Sequence, residues 1–409
     1  AAEGMILLKN DRNALPVTGK KIALLGNASY DTFTGGTGSG EVNAAYKISF
    51  YDGLKSAGFQ IDETLKNQYI SHIDTEKSKR PKRNNILEAI KPVAEFVVDA
   101  EQIKAMARDN DAAIITIGRS AGEAADRSVD TDYEMQTVEL DLIKTTADEF
   151  HKKGKKVIVA LNIDALMDVS KWRDLVDGII ITWLPGQEAG HAFADIVSGK
   201  VSPSGHLAQT LPLNYSDVPS STTFPGEPVR RPKNSIYNEG IYVGYRYYTT
   251  FNKPVAYEFG YGLSYTTFTI DKLKASSKPV TKELKLSVDV KNTGTTDGKE
   301  VVQVYISAPG KTMEKPLLEL KAFAKTENLK PGKSQKIDFT IHAEDLASFD
   351  ASRSMWVVEP GSYTIKVGNS SKNILQKASF VVEKEIVVEK VNDVLKPETP
   401  LEEMSQNDN

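Results

Sequence analysis

The chain has 409 residues, a formal net charge of −4, 40% hydrophobic and 26% charged residues, and no cysteine. That length allows two or three domains with substantial cores, and the charge balance gives no electrostatic reason to bind nucleic acid or an acidic membrane. Without cysteine there is no disulfide framework, thiolate zinc site or thiol nucleophile, and no apolar run approaches the roughly 18 residues of a membrane span. The location stays open, with a cytoplasmic one favoured over secretion by the lack of a signal peptide and of cysteine.

Residues 1–215 read as α/β. The apolar run Lys21-Ile22-Ala23-Leu24-Leu25-Gly26 predicts a central strand ending in a turn. Residues 50–58 predict a helix with Leu54 and Ala57 inward and Gly58 closing it. The stretch 62–100 is highly charged, and its basic cluster from Lys77 to Arg83 reads as part of a solvated insertion rather than an anion site. Strands are expected at 112–117, 156–161 and 178–183. A long helix over 134–153 carries Val138, Leu142, Ile143, Ala147 and Phe150 on one stripe. Alternation of this kind implies an α/β sandwich domain, a mostly parallel sheet covered by helices on both faces.

Residues 216–265 form a Pro/Tyr-rich interdomain strap. Pro219, Pro225, Pro228 and Pro232 interrupt regular structure, and the tyrosines crowded into 237–248 read as packed rings whose phenol tips reach water or backbone. From 266 to 382 the period is two. Leu284, Leu286, Val288 and Val290 alternate with polar neighbours, as do Val302, Val304 and Ile306, then Ile337, Phe339 and Ile341, then Tyr363, Ile365 and Val367. Short half-buried strands between Gly, Pro and Asn turns predict an all-β two-sheet sandwich. Residues 383–409 read as a polar tail or linker, disordered near Ser405.

Two loops carry candidate chemistry. Glu123 follows the strand at 112–117 in Gly118-Arg119-Ser120-Ala121-Gly122-Glu123-Ala124-Ala125-Asp126-Arg127, and open α/β sheets place their ligands at such strand ends. Asp126 and Arg127 are expected to pair within the loop and hold it. The second loop is Gly35-Gly36-Thr37-Gly38-Ser39-Gly40. It lacks the Lys-Ser or Lys-Thr of a phosphate loop and begins ten residues after Leu25, too late for a dinucleotide fingerprint. Its glycines are expected to allow close backbone approach, so that Ser39 reaches a ligand or another domain. The five histidines show no metal-ligand spacing, and no Gly-x-Ser-x-Gly elbow follows a strand. No cofactor or metal is implied.

These loops, together with Glu3 to Asn10, Trp183-Leu184-Pro185-Gly186-Gln187-Glu188-Ala189-Gly190, Ser202-Pro203-Ser204-Gly205-His206-Leu207 and Tyr257-Glu258-Phe259-Gly260-Tyr261-Gly262-Leu263-Ser264-Tyr265, resemble the second and third domains of the family 3 glycoside hydrolases, the β-glucosidase group. The likeness runs to about Val382. It implies a fibronectin type III-like topology for the sandwich, a catalytic acid/base role for Glu123, and a substrate-binding role for Ser39, hydrogen-bonded to a sugar hydroxyl. It also implies a partner, a (β/α)8 barrel carrying the nucleophilic aspartate, of which this chain shows no trace. The barrel is expected as a separate polypeptide, a removed part or a domain following in permuted order.

The resulting expectation is half of a retaining β-glucosidase acting on terminal β-D-glucosyl residues of a β-glucoside or oligosaccharide, active only with its barrel. Alternatives are a β-xylosidase or arabinosidase of the same family, or a non-catalytic carbohydrate or protein interaction module. Neither nucleic acid nor membrane is an expected partner, and assembly into a homo-oligomer stays open.

Overall fold

The structure, a computed structural model, describes residues 1–81, 85, 93–121, 126–229, 231–276, 279–392, 394–395 and 402–408. It divides into two compact units. One comprises Ala1–His206 with Gly262–Tyr265; the other comprises Leu207–Tyr261 with Thr266–Asn409.

The first unit is α/β. Its strands are β1 (Ile6–Asn10), β2 (Ile22–Leu25), β3 (Ala112–Gly118), β4 (Lys156–Asn162) and β5 (Gly178–Ile181), in the order β1-β5-β4-β3-β2. The last four are parallel and β1 runs antiparallel along β5. Strands covered on both faces need continuous apolar, β-branched sequence, and all four residues of β2 and of β5 are buried. The helices are α1 (Phe50–Ser56), α2 (Glu63–Ser78), α3 (Ala100–Asp109), α4 (Thr137–His151) and α5 (Ala189–Val197). Helices α1 and α5 approach closely because both carry glycine at the crossing. A Cβ on Gly53 would stand 2.0 Å from the Gly190 carbonyl carbon, and one on Gly190 would stand 1.9 Å from Ser49 O. The Phe50 and Phe193 rings close the contact at 4.4 Å between centroids.

The first unit is also discontinuous in sequence. Residues 262–265 return to it: Leu263 N donates to Leu7 O, Ser264 Oγ meets Ser202 Oγ at 2.8 Å, and Tyr265 Oη donates to Ile196 O at 2.9 Å.

Three expectations for this unit change. Ala57 is the C-terminal cap of α1 and exposed; Phe50, Tyr51, Gly53 and Leu54 make the buried face. The charged stretch after 62 opens with α2, a four-turn helix burying Leu65, Tyr69 and Ile73, so three apolar residues at 4-residue spacing outweigh the surrounding charge. On α4 the buried stripe takes in Leu142, Ile143, Ala147 and Phe150 as expected, but Glu139 is buried where Val138 is only half-buried.

The second unit begins with β6 (Leu211–Pro212), α6 (Tyr245–Thr250) and β7 (Val255–Tyr257). Tyr242 and Tyr248 are buried, and Tyr245 Oη accepts the Leu320 N–H at 2.8 Å, while Tyr237 is exposed. Strands β8 (Phe268–Ala275), β9 (Glu283–Asn292), β10 (Val301–Ser307), β11 (Glu319–Lys325) and β12 (Ser334–His342) follow, then helix α7 (Ala343–Leu346). After them come β13 (Ser348–Asp350), β14 (Met355–Val358), β15 (Gly361–Gly368), β16 (Ile374–Val382) and β17 (Ile386–Lys390). They form antiparallel sheets β11-β10-β15-β16 and β12-β9-β8, plus a smaller β13-β14-β17. The alternating residues read from sequence are its core: Leu284, Val290, Val302, Val304, Ile341, Ile365 and Val367 have no exposed surface. Beyond residue 383 the chain departs from the expected polar tail. Strand β17 pairs with β14 through Val387 and Ile386, and near Ser405 the backbone is tied down, with Met404 N donating to Asn238 O and Gln406 Nε2 to Lys315 O at 2.7 Å.

Candidate active site

The carboxyl edge of the parallel sheet gathers the loops of interest. Glu123 lies outside the described residues, as do Gly122, Ala124 and Ala125; both stems of that loop are described. Ser39 is exposed in a short turn, Gly38–Gly40. Gly38 holds it with φ +66, a left-handed conformation that costs other residues about 1 kcal/mol. Among the described residues, a Cβ at Gly36 or Gly40 would meet nothing within 4 Å. Close approach within this chain is therefore not what those two glycines provide. Thr37, buried beside the turn, donates its Oγ1 hydrogen to Ala121 O at 2.7 Å. The serine turn and the stem of the Glu123 loop are thus bonded to each other.

Arg119 sits beneath that stem with 2% exposure. Its guanidinium forks onto Glu139 of α4 (Nη1 to Oε1 2.7 Å, Nη2 to Oε2 2.6 Å) and its Nε donates to Asp132 O. A buried arginine needs every donor answered, which explains why α4 buries a glutamate. The other stem contradicts the expected Asp126–Arg127 pair. Arg127 forks instead onto Asp132 (Nε to Oδ2 3.1 Å, Nη2 to Oδ1 2.9 Å) and donates Nη1 to Leu166 O at 2.7 Å, while Asp126 is exposed. Asp132 lies on the helical turn Val129–Tyr133, within reach of the Arg127 guanidinium, whereas Asp126 faces solvent.

Sequence reading missed three polar residues here. Asn162, fully buried at the end of β4, accepts the Phe33 N–H at 2.7 Å and donates to Phe33 O and Trp183 O at 2.9 and 2.7 Å. It thereby joins the loop leading to Ser39 to the segment from Trp183, itself strained at φ +56. Asp164, two residues on, accepts the Ala121 N–H. Glu95 accepts the Asn27 N–H after β2. Burial, then the Glu139 carboxylate, pushes the Glu95 carboxyl up to about 8, against the pull of the Asn27 and Phe96 amides and Arg119. The one available signal was a polar residue directly ending an apolar run, as Asn162 does.

Comparison with known proteins agrees with this architecture. Residues 5–245 match the glycosyl hydrolase family 3 C-terminal domain, and residues 300–371 the fibronectin type III-like domain. The chain is 34% identical to β-glucosidase A of Butyrivibrio fibrisolvens over 97% of its own length and 52% of that protein's. It is 33% identical to an exo-α-(1→6)-L-arabinopyranosidase of Bifidobacterium breve over 94% of its length and 48% of that protein's. Among solved structures, β-glucosidase 3B of Thermotoga neapolitana in complex with α-D-glucose superposes with a TM-score of 0.89 at 46% identity, covering 94% of this chain and 53% of that one. The chain spans about half the length of the relatives it matches.

Proposed function

The chain belongs to glycoside hydrolase family 3, and on that premise we propose that it is the acid/base-bearing half of a retaining β-glucosidase, completed by a barrel that holds the nucleophile. Retaining hydrolysis uses two carboxyl groups about 5 to 5.5 Å apart. In the first step the barrel's aspartate attacks the anomeric carbon, the bond to the leaving oxygen breaks, and Glu123 gives that oxygen its proton. In the second, the Glu123 carboxylate takes a proton from water, and the hydroxide so formed displaces the aspartate. Ser39 holds a sugar hydroxyl.

The observation that carries this reading is the Thr37–Ala121 hydrogen bond. It joins the stem of the Glu123 loop to the Ser39 turn on the sheet edge where α/β proteins bind ligands.

The test is Glu123→Ala in the enzyme completed by its barrel. Alkyl glucosides, which need a proton on the leaving group, should lose about 10² to 10⁴ in rate. Dinitrophenyl glucoside should still give a burst, and azide should speed turnover and yield β-glucosyl azide. Equal slowing of both substrates with no azide effect would return Glu123 to a structural role. This chain without a barrel should hydrolyse neither substrate.

A second substrate reading is favoured by the relatives that act as exo-α-(1→6)-L-arabinopyranosidases. Pentopyranosides lack the exocyclic hydroxymethyl group of glucose. Comparing kcat/KM for aryl β-glucoside, β-xyloside and α-L-arabinopyranoside decides between them.

A further inference from the structure

We infer that Asp164 is a positioning residue for the acid/base loop, acting through its stem. The inference rests on the reading of Glu123 given above.

The loop after β4 touches both stems at once. Asp164 Oδ2 accepts the Ala121 N–H on one side, and two residues on, Leu166 O accepts from Arg127 Nη1 at 2.7 Å on the other. A short span thus bonds to two points six residues apart, one on each stem of the acid/base loop. The span is itself anchored. Asp168 N donates to Tyr133 O at 2.8 Å, Asp168 Oδ1 accepts the Ser170 N–H at 2.8 Å, and the fully buried Trp172 donates Nε1 to Asp168 O at 3.0 Å. Among the described residues, the second oxygen of Asp164 and the hydroxyl of Ser120 are buried there without a hydrogen-bond partner. Such groups oppose folding, and a site that tolerates them retains a carboxylate for something other than stability. The Asp164 contact is made to the main chain two residues before Glu123.

Two measurements separate this inference from the acid/base reading. In the 409-residue chain, hydrogen exchange at the Ala121 amide should accelerate at least about 10-fold in Asp164→Ala, because the acceptor is gone. It should stay near the parent value in Asp164→Asn, whose side-chain oxygen still accepts. In the barrel-completed enzyme, Asp164→Ala should cost about 10- to 100-fold on alkyl glucosides. It should leave dinitrophenyl glucoside glycosylation within about threefold and KM little changed, and Asp164→Asn should restore most of the loss. If Asp164→Ala does not fold, Asp164→Glu, which displaces the carboxylate by one methylene, carries the same comparison. Unchanged Ala121 exchange, or equal loss on both leaving groups, overturns the positioning role even where Glu123→Ala behaves as an acid/base variant. Accelerated exchange combined with a Glu123→Ala enzyme that ignores the leaving group overturns the acid/base reading instead, and the catalytic role of Asp164 with it.

Discussion

At the amino end of the five-stranded sheet a single buried carboxylate, Asp177, is answered from four directions: Arg12, His151 Nε2 at 2.8 Å, Lys156 Nζ at 3.5 Å and the Val157 N–H at 3.0 Å. At the carboxyl end of the same strands the polar groups are more numerous and less well served. Among the described residues, Asn27 Oδ1, Ser120 Oγ and Asp164 Oδ1 are all buried there without a hydrogen-bond partner. The electrostatics follow the same division. Burial alone would raise the Asp177 carboxyl, but the Val157 amide, His151 and Arg12 outweigh it and hold it below its ordinary value. Burial raises Glu95 and its partners do not offset it. One edge of the sheet is arranged for stability; the other holds polar groups that a purely structural edge would have replaced.

That contrast can be broken by measurement. The largest effect belongs to Asp177→Ala, which strips a buried network of its centre and should cost about 3 to 5 kcal/mol in denaturant unfolding. Because the folded carboxyl is held low, its contribution is present above the ordinary Asp range and is lost as pH falls through the depressed folded value. The parent chain should therefore weaken in acid more steeply than the variant. A loss under 1 kcal/mol would mean the amino end is no better built than the other.

Next comes Asn162→Ala, which orphans the Phe33 N–H and two carbonyls. An expected cost of about 1 to 3 kcal/mol would be accompanied by faster hydrogen exchange at Phe33. Stability without faster exchange would remove Asn162 from the site.

Glu95→Gln sharpens the comparison through pH. The folded carboxyl titrates near 8 against 4.5 for a free one, so the folded chain binds the extra proton between those values. The parent should lose stability as pH rises through that window, by about 1 to 2 kcal/mol once partial exposure is discounted. The glutamine variant should stay flat. A parent melting temperature that rises across the window would contradict the assignment. The smallest effect is Ser39→Ala in the barrel-completed enzyme, about 0.5 to 1.5 kcal/mol in kcat/KM for one hydrogen bond to the sugar; no change would leave the turn structural.

The strands were legible because their burial is written in composition. Ile114 and Ile115 or Val157 and Ile158 can only be core, and Leu284 to Val290 can only be one face of a sheet. The Glu123 and Ser39 loops rest on motif alone. What escaped depends on partners far away in sequence. Glu139 is buried only because Arg119, 20 residues earlier, requires a carboxylate, and Asn162 acts on Phe33, 129 residues away. Asp126 beside Arg127 looked like a pair because adjacency is visible in a sequence and a helical turn to Asp132 is not. Strand β17 hid in a charged stretch because an edge strand keeps polar residues on its open face.

The return of residues 262–265 to the first unit has a consequence for how the protein is made. Leu263 and Tyr265 bond to β1 and to the end of α5, so the α/β unit contains a piece encoded after the whole 207–261 excursion. During synthesis, residues 1–206 can collapse as they leave the ribosome, but the edge at Leu7 stays open until nearly sixty further residues have emerged. A gene cut at residue 206 would code for an α/β unit with that seam permanently unclosed.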